Sequence, residues 1–236
     1  MMKHIVSFSG GKDSTAMLLM MIEKEMKIDE IIFLDTGVEF PEMYKHIEKV
    51  EKHINRKITV LKNEKGLFEY FLLEHIKSKG KNKGQKGYSW AGVRSRWCTS
   101  KLKSDISQKY LKKFNNEKIK LYQGIAADEI KRLEKKSGES KNVEISYPLA
   151  EWGITEKEAL KYCYNKSFNW NGLYKKFNRV SCWCCPLQPL KSLRTLYKEY
   201  PKYWEKLKEW DSKTYRKFRA DYSILELEKK FEKEVV

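Results

Sequence analysis

The sequence lacks an apolar run long enough to cross a membrane. The longest such run covers residues 16–22, whereas a membrane-spanning helix needs roughly 20 apolar residues. The first residues also lack the pattern of a signal peptide, which is a charged segment followed by an apolar stretch and a cleavage site. We therefore expect a cytoplasmic protein with no membrane partner.

Glycine and proline are also scarce, with 12 and 5 residues among 236. Such low contents exclude fibrous and low-complexity proteins. Hydrophobic residues make up 41% of the chain, which is sufficient for one core or for a core with a small appendage.

The chain lacks the paired cysteines of a disulfide-bonded protein. It has five cysteines, and an odd number in a chain expected in the cytoplasm argues against a disulfide framework. Cys182, Cys184 and Cys185 lie within four residues, and this density indicates metal binding or redox chemistry. Cys163 falls in a predicted helix among apolar neighbours, so we expect it in the core.

Acidic residues are few relative to basic ones: 32 Asp and Glu face 49 Lys and Arg, for a formal net charge of +17. Residues 77–118 hold 13 basic and two acidic residues, and residues 161–219 hold 15 basic, four acidic and 14 aromatic residues. Basic groups neutralise phosphates and exposed rings stack on bases, so the charge favours a nucleic-acid partner. A solvated, lysine-rich surface is the alternative, since only eight of the basic residues are arginine. We expect most of the aromatic residues in the core of a helical appendage.

The apolar pattern alternates between strands and helices through the first two thirds of the chain. Strands are predicted at residues 4–8, 31–34, 58–61, 120–123 and 143–146. Helices are predicted at residues 15–26, 41–54, 67–76, 99–114 and 155–164, the last with a capping box formed by Thr155 and Glu158. This order predicts an α/β fold with a five-stranded, mostly parallel twisted sheet and helices on both faces. Ligands of such sheets bind beyond the carboxyl ends of the strands.

Beyond residue 166 the alternation stops. Helices are predicted at residues 189–200, 202–218 and 224–233, after a cysteine-rich loop at 178–188. The basic, glycine-containing stretch 77–86 is predicted to be a mobile loop or lid. We divide the chain into a nucleotide-binding domain, residues 1–165, and a basic, aromatic, helical extension with the cysteine cluster, residues 166–236, packed on the same core.

A short polar loop, Ser9-Gly10-Gly11-Lys12-Asp13-Ser14, lies between the first predicted strand and the first helix. Two glycines allow the backbone to turn tightly and bring its N–H groups to phosphate oxygens. The helix N-terminus and Lys12 add positive charge, and Asp13 could hold Mg²⁺. The spacing differs from that of a Walker A loop, and the alternative is an ordinary Gly-Gly turn.

Four further motifs follow this loop in order. They are residues 34–42 (LDTGVEFPE), Arg96-Trp97-Cys98-Thr99 with Lys101, residues 124–129 (GIAADE) with Arg132, and Tyr147-Pro148-Leu149 with Trp152. Together with the loop they resemble the phosphoadenosine phosphosulfate (PAPS) reductase family of the PP-loop, or N-type ATP pyrophosphatase, superfamily. The resemblance covers about residues 3–190 and implies an adenine nucleotide alpha hydrolase-like fold.

The resemblance implies a site for ATP, or for PAPS or adenosine phosphosulfate (APS). Its phosphate-binding residues would be those of the first strand end and the loop: Ser7, Ser9, Gly10, Gly11, Lys12, Asp13 and Ser14. The remaining nucleotide-binding residues would be Leu34, Asp35 and Thr36 near the adenosine, Gly124 and Ile125 on the opposite wall, and Arg96 and Lys101.

The same resemblance implies catalytic roles for Lys12, Asp13, Asp128, Glu129 and Arg132. Arg132 would stabilise developing charge, and the acids would orient Mg²⁺ or a nucleophile. Taken alone, Asp128, Glu129 and Arg132 also fit an exposed helix start with acids in its first turn.

The spacing of Cys182 and Cys185 suits chelation of zinc or of an iron–sulfur cluster. The resemblance favours a cluster, because APS reductases and related DNA phosphorothioation and tRNA thiolation proteins carry one. We predict a 4Fe-4S cluster on Cys98, Cys182 and Cys185, with Cys184 as a fourth ligand or as a nearby catalytic thiol. A structural Zn²⁺ and unliganded thiols are the alternatives. The four histidines show no ligand pairing.

Three functions follow from these observations. The first is an ATP-dependent sulfurtransferase that adenylates an acceptor, DNA or tRNA, releases pyrophosphate and AMP, and takes sulfur from a donor such as a cysteine desulfurase. The second is a sulfonucleotide reductase, although the chain has no cysteine after Cys185 and therefore no Glu-Cys-Gly nucleophile. The third is a non-catalytic module that binds nucleotide and nucleic acid and carries a structural zinc.

Overall fold

The computed structural model describes residues 2–80, 82–134, 142–180 and 182–234. The chain packs as two compact units. The first, here called the sheet unit, comprises the residues up to Leu34, Pro41–Leu61 and Ser107–Leu173. The second, here called the helical unit, comprises Asp35–Phe40, Lys62–Ile106 and the residues from Tyr174 onward.

The sheet unit contains five strands. They are β1 Met2–Ser7, β2 Glu30–Leu34, β3 Thr59–Leu61, β4 Lys118–Gln123 and β5 Val143–Ser146. Their order is β3-β2-β1-β4-β5 and every pairing is parallel. Ser7 pairs with Ile32 on one side and with Gln123 on the other, so β1 and β4 end level with each other. The predicted α/β fold with a five-stranded sheet is confirmed, and the sheet is parallel throughout.

Apolar side chains from the strands fill the core of the sheet unit. Ile5, Ile32, Ile119 and Leu121 pack with Leu111 in one buried cluster. A parallel sheet is covered on both faces, which explains why its strands are almost continuously apolar in the sequence.

The helices follow the strands in the order that the sequence predicts. In chain order the described residues form α1 Lys12–Glu23, α2 Pro41–Ile54, α3 Phe68–Leu73, α4 Trp97–Thr99, α5 Asp105–Leu111, α6 Ile130–Leu133, α7 Pro148–Glu151, α8 Glu156–Asn165, α9 Leu173–Lys176, α10 Leu190–Glu199, α11 Pro201–Ser212 and α12 Ile224–Lys233. The described part of the chain contains no helix that is both long and apolar enough to span a bilayer.

Several helix limits agree with the sequence, and others differ. Helix α2 begins at Pro41, and the capping box of Thr155 and Glu158 is present at the start of α8. Helix α11 ends at Ser212 instead of residue 218. It ends there because the Thr214 hydroxyl donates to the Asp211 carbonyl, while the Asp211 carboxylate accepts from the backbone N–H of Ile224 at the start of α12.

Aromatic side chains form the interior of the helical unit. Trp90, Trp204, Trp210 and Phe218 are each at most 3% exposed. The prediction that most aromatic residues of the C-terminal third are core residues is therefore confirmed for Trp204, Trp210 and Phe218, whereas Tyr215 is 46% exposed.

The two ends of the predicted loop at 77–86 are close together, because Ile76 and Lys86 form a β-bridge. Lys77 is buried, and its ammonium group donates to Gln85 and to the Tyr215 hydroxyl. These contacts join the two ends to each other and connect Lys77 to Tyr215.

Candidate functional site

The polar loop of the sheet unit connects the end of β1 directly to α1. Gly10 has a φ of +76°, a backbone conformation that favours glycine, and a Cβ there would lie 3.1 Å from the Ile47 side chain, which would have to shift. The Ser14 hydroxyl accepts from the backbone N–H of Ser9 at 3.2 Å and donates to the Gly11 carbonyl at 3.1 Å. The loop is thus closed by Ser14, which lies in the first turn of α1.

A distant tryptophan holds the carbonyl of Gly10. The indole N–H of Trp170 donates to the Gly10 oxygen at 2.7 Å. Trp170 stacks on His46 with ring centres 4.3 Å apart, and the His46 Nε2 lies 2.9 Å from the Thr15 hydroxyl of α1. Burial lowers the pKa of His46 to about 3, so its ring is neutral at physiological pH.

The end of β4 approaches the same loop. A Cβ on Gly124 would lie 2.7 Å from the backbone nitrogen and Cα of Ser14, so no larger residue fits without displacing the loop. Ile125, the next residue, is buried. The structure therefore brings Gly124 against Ser14, two residues that the sequence analysis assigns to one nucleotide site.

Lys12, at the start of α1, has carboxylate partners. Its ammonium group lies 2.9 Å from Asp13 and 2.5 Å from Glu156, and its side chain is 7% exposed. Asp13, Glu129 and Glu156 each offer a carboxylate oxygen, and these three oxygens lie within 4.8 Å of one another. Burial raises the pKa of Asp13, and the Lys12 charge opposes that shift.

Two further predicted residues fix this carboxylate group. Arg132 donates to both oxygens of Glu129, at 2.5 and 2.7 Å. Asp128 accepts from the backbone N–H of Glu156 at 3.0 Å and so positions the first residue of α8. The sequence analysis named Asp13, Asp128, Glu129 and Arg132 but missed Glu156. In the sequence, Glu156 resembles any acidic residue in the first turn of a helix.

The helical unit holds the residues that follow β2. Asp35 accepts from the backbone N–H of Gly37 at 2.8 Å and lies 3.3 Å from the Lys62 ammonium group. Lys101 pairs with Asp105 at 2.7 Å. The proposed roles of Asp35, Lys101 and Leu34 in nucleotide binding remain predictions.

Four cysteines of the helical unit line one cavity of about 340 Å³: Cys98, Cys182, Cys184 and Cys185. All four are free thiols, of which Cys184 is fully buried and the others are partly buried. Among the described residues no three of these sulfurs lie within 4.8 Å of one another. The structure therefore brings the four predicted ligands to one cavity, where no three of their sulfur atoms lie within 4.8 Å of one another.

Polar groups approach Cys182 within this unit. The Cys182 sulfur lies 3.4 Å from a carboxylate oxygen of Glu39 and 3.7 Å from the Thr36 hydroxyl. Burial, followed by the charge of Glu39, raises the pKa of Cys182 well above its ordinary value. Burial likewise raises the pKa of Cys184. The sequence analysis assigned Thr36 to the nucleotide and did not single out the buried Glu39.

Lys103 lies among the charged groups around Cys182 and is positively charged. Burial lowers its pKa, but the charges of Cys182, Glu39 and Cys98 outweigh that effect and raise it overall. Lys103 and Arg96 both line the cavity with the cysteines.

Cys163 lies apart from these four, in α8 of the sheet unit. It is fully buried, donates to the Lys12 carbonyl at 3.4 Å, and has a pKa raised by burial to about 12. The expectation that it is a core residue is confirmed.

The chain has relatives among curated proteins. Two uncharacterized proteins of Methanocaldococcus jannaschii are 28% and 31% identical over 86% and 76% of this chain. An uncharacterized nin region protein of Escherichia phage lambda is 32% identical over 66% of the chain. The chain spans about 40% of the length of the two archaeal proteins and 57% of the phage protein.

Two solved structures are similar to this chain, and the first shares its fold. The PAPS reductase from Candida auris, solved as a phosphate complex, has a TM-score of 0.53 and 17% identity, and the match covers 76% of this chain and 81% of that one. The U34-tRNA thiolase NcsA from Methanococcus maripaludis, solved with its 4Fe-4S cluster, has a TM-score of 0.43 and 17% identity over 70% of this chain and 57% of that one.

The match to a protein family covers most of the sequence. Residues 3–188 match the phosphoadenosine phosphosulfate reductase domain. This range includes the loop at Gly10, the carboxylates around Lys12 and all four cysteines of the cavity, in agreement with the resemblance that the motifs indicate. The chain belongs to the phosphoadenosine phosphosulfate reductase domain family.

Proposed function

We propose that this protein is a PP-loop ATP pyrophosphatase that adenylates an acceptor on a nucleic acid and then transfers sulfur to it with the help of a 4Fe-4S cluster. The observation that carries the nucleotide part is the geometry of the loop. The Gly10 carbonyl is held by Trp170, and α1 begins two residues later with Lys12. Backbone N–H groups at a helix N-terminus, with a lysine beside them, form a site for pyrophosphate.

Magnesium fits the carboxylate group beside the loop. Mg²⁺ takes oxygen ligands at about 2.1 Å in an octahedron, so its ligands lie about 3 Å apart when adjacent and about 4 Å apart when opposite. The oxygens of Asp13, Glu129 and Glu156 lie within 4.8 Å of one another, which supports a shared ion. When bound, the ion would neutralise phosphate charge.

The residues around the loop support an adenylation reaction. An acceptor oxygen would form a bond to the α-phosphorus of ATP, and the bond to the bridging oxygen would break, releasing pyrophosphate. Lys12 and the backbone N–H groups of the loop would stabilise the negative charge on the leaving group. Arg132 donates to Glu129 and would orient the Glu129 carboxylate.

We expect the cysteine cavity to hold a cluster and not a single zinc ion. Tetrahedral zinc has Zn–S bonds of about 2.3 Å, so its ligand sulfurs lie about 3.8 Å apart. Among the described residues no three sulfurs of the cavity lie within 4.8 Å, and the donors are all cysteine. Cys98, Cys182 and Cys185 would hold the cluster, and Cys184 is the further thiol. A bound cluster would supply electron transfer or a site for sulfur.

Residues of the helical unit would support such a cluster through charge. Lys103 would compensate the charge of thiolates that bind iron, because the charges of Cys182 and Cys98 already act on it.

The acceptor would be DNA or tRNA, because the chain carries a net charge of +17. The sulfur would come from a donor such as a cysteine desulfurase.

The products of ATP turnover test the proposal. The protein, prepared without oxygen and assayed for iron, is incubated with ATP, Mg²⁺, a sulfide source and RNA or DNA, and the nucleotides are separated. We expect AMP and pyrophosphate, whereas ADP and phosphate would contradict adenylation. Lys12→Met should abolish turnover, while the matched exchange of an exposed lysine, Lys27→Met, should leave it unchanged.

Cysteine variants separate the two half-reactions. Cys185→Ala should retain adenylation but lose both bound iron and sulfur transfer. Cys163→Ala, which removes a cysteine outside the cavity, should retain bound iron. Equal iron contents in the two variants would argue against a cluster in the cavity.

A sulfonucleotide reductase is the second candidate, favoured by the family to which residues 3–188 belong. Release of sulfite from PAPS or APS in the presence of a thiol reductant, without ATP turnover, would favour this reaction.

A further inference from the structure

The cavity that contains the four cysteines of the helical unit is strongly cationic. Five of its lining residues carry a positive charge: Arg96, Lys103, Lys176, Arg179 and Lys191. None of the described residues that line it carries a negative charge. Such an uneven lining indicates that an anion occupies the cavity or approaches its mouth.

Most of these cations have no acidic partner. Lys176 pairs with Glu199 at 2.7 Å. Within the described ranges of the chain, the other four have no carboxylate within ion-pair distance. In the same unit, but outside the cavity, Lys206 pairs with both Glu69 and Glu209. Four cations that converge without partners repel one another, and this arrangement is typical of a binding surface for an anion.

The four cations form an inner and an outer group. Lys103 is partly buried, and the charges of Cys182 and Glu39 act on it most strongly. Arg96, Arg179 and Lys191 are exposed, and they are here called the outer rim. The three cations of the outer rim are therefore accessible to an anionic ligand in solution.

We propose that the outer rim binds the phosphodiester backbone of an unpaired nucleic-acid strand and brings a base of that strand to the mouth of the cysteine cavity. The inference rests on the proposed sulfur transfer and names the surface that recognises its acceptor. Guanidinium groups bind phosphate oxygens in a bidentate manner, and two of the three outer cations are arginines.

The apolar lining between these cations suits a base. Phe68, Pro186 and Leu187 line the same cavity, and Leu187 is 40% exposed. An exposed apolar side chain among cations provides a contact for the face of a base while the phosphates bind outside. The strand must be unpaired, because a base within a duplex cannot reach a group that lies inside a cavity.

Binding of a labelled RNA at several salt concentrations tests this proposal. The probe is a fluorescent single-stranded RNA of about 20 nucleotides, measured by anisotropy with the iron-loaded protein in the absence of ATP. The variants are Arg96→Gln, Arg179→Gln and Lys191→Gln. The controls are Arg216→Gln and Lys202→Gln, which change exposed cations of the same unit that do not line the cavity.

Each rim variant should lose one phosphate contact. For a single strand, one contact contributes about 0.7 to the slope of log K against log salt, which corresponds to about fivefold in affinity at 0.1 M salt. We expect that loss for each rim variant, and for each control a change below twofold. Binding of the duplex form of the same sequence should be weaker than binding of the single strand.

Three results would overturn the proposal. The rim variants could bind RNA as the controls do, which would make the interaction a property of the whole basic surface. The duplex could bind as well as the single strand. Free phosphate or sulfate could displace the RNA at constant ionic strength, which would make the rim a site for a small anion. None of these results bears on whether ATP is converted to AMP and pyrophosphate, so failure of the rim and failure of the proposed reaction are distinguishable.

Discussion

The carboxylate of Glu156 lies 2.5 Å from the ammonium group of Lys12, closer than the 2.9 Å of the adjacent Asp13. Lys12 is therefore already paired with two carboxylates. In the proposed function, a phosphate group would displace Glu156 from Lys12, or Mg²⁺ would draw the carboxylates away from it. Glu156 would then couple metal binding to phosphate binding.

Removing this charge should strengthen phosphate binding in the absence of metal. In Glu156→Gln, pyrophosphate no longer competes with a carboxylate for Lys12. Because the Glu156 side chain is 43% exposed, we expect a gain of only about 1 kcal/mol, or roughly fivefold in Kd. Isothermal calorimetry with pyrophosphate and EDTA measures it. Glu144→Gln, which changes an exposed ion pair with Lys120, is the control, and equal affinities in the two variants would refute the competition.

Adding one methyl group to Gly124 should damage the proposed nucleotide site. The new Cβ would lie 2.7 Å from backbone atoms of Ser14, so the loop has to move. We expect Gly124→Ala to lower the free energy of unfolding by about 1–3 kcal/mol and to weaken ATP binding at least tenfold. Gly92→Ala has open space around its Cβ and should change neither quantity. Urea unfolding and calorimetry give both values, and unchanged ATP binding in Gly124→Ala would contradict the assignment.

The hydrogen bond from Trp170 to the Gly10 carbonyl can be tested with a matched pair of variants. Trp170→Phe removes ring volume and also leaves a buried carbonyl without its donor, which costs about 1–3 kcal/mol beyond the volume change. Trp204→Phe removes similar volume, but the indole N–H of Trp204 has no partner among the described residues. We expect the first variant to be the less stable one and to bind ATP more weakly than the wild type. Equal unfolding energies would show that the hydrogen bond does not hold the loop.

His46 should make the protein sensitive to acid. Its pKa is about 3 in the folded protein against 6.5 for a free side chain, so below pH 6.5 the unfolded chain takes up a proton that the folded chain does not. The free energy of unfolding should therefore fall as the pH falls from 6.5 toward 3, by up to about 1.4 kcal/mol per pH unit. In His46→Gln this contribution should be absent. Urea unfolding at pH 7 and pH 5 tests it, with exposed His53→Gln as the control; parallel curves for wild type and His46→Gln would exclude the effect.

The sequence predicts the sheet well because its signals are local. The apolar runs that form β1, β2 and β4 are continuous, and Pro41 and Thr155 mark two helix starts through backbone chemistry that needs no distant partner. The loop at Gly10 is predicted for the same reason, since a strand, two glycines and a helix are adjacent in the chain.

Residues that act through distant contacts could not be predicted in the same way. Trp170 is separated from Gly10 by 160 residues. In the sequence it is one of many aromatic residues in a basic stretch, and nothing there indicates a contact with Gly10. Glu156 is an ordinary first-turn acid until Asp128 fixes its backbone beside Lys12. Glu39 belongs to a motif assigned to the nucleotide, and only the folded helical unit brings it to Cys182.

The helical unit is assembled from three separate stretches of chain, and this has a consequence for synthesis on the ribosome. Residues 62–106 emerge well before the stretch that follows Tyr174. Phe68 and Trp90 each contact Trp210 in the finished protein, and Trp90 also contacts Phe218, with ring centres 4.8–6.2 Å apart. Until translation reaches those partners, the early aromatic side chains stay uncovered, so nascent chains that stall before residue 210 should depend on chaperones to stay out of aggregates.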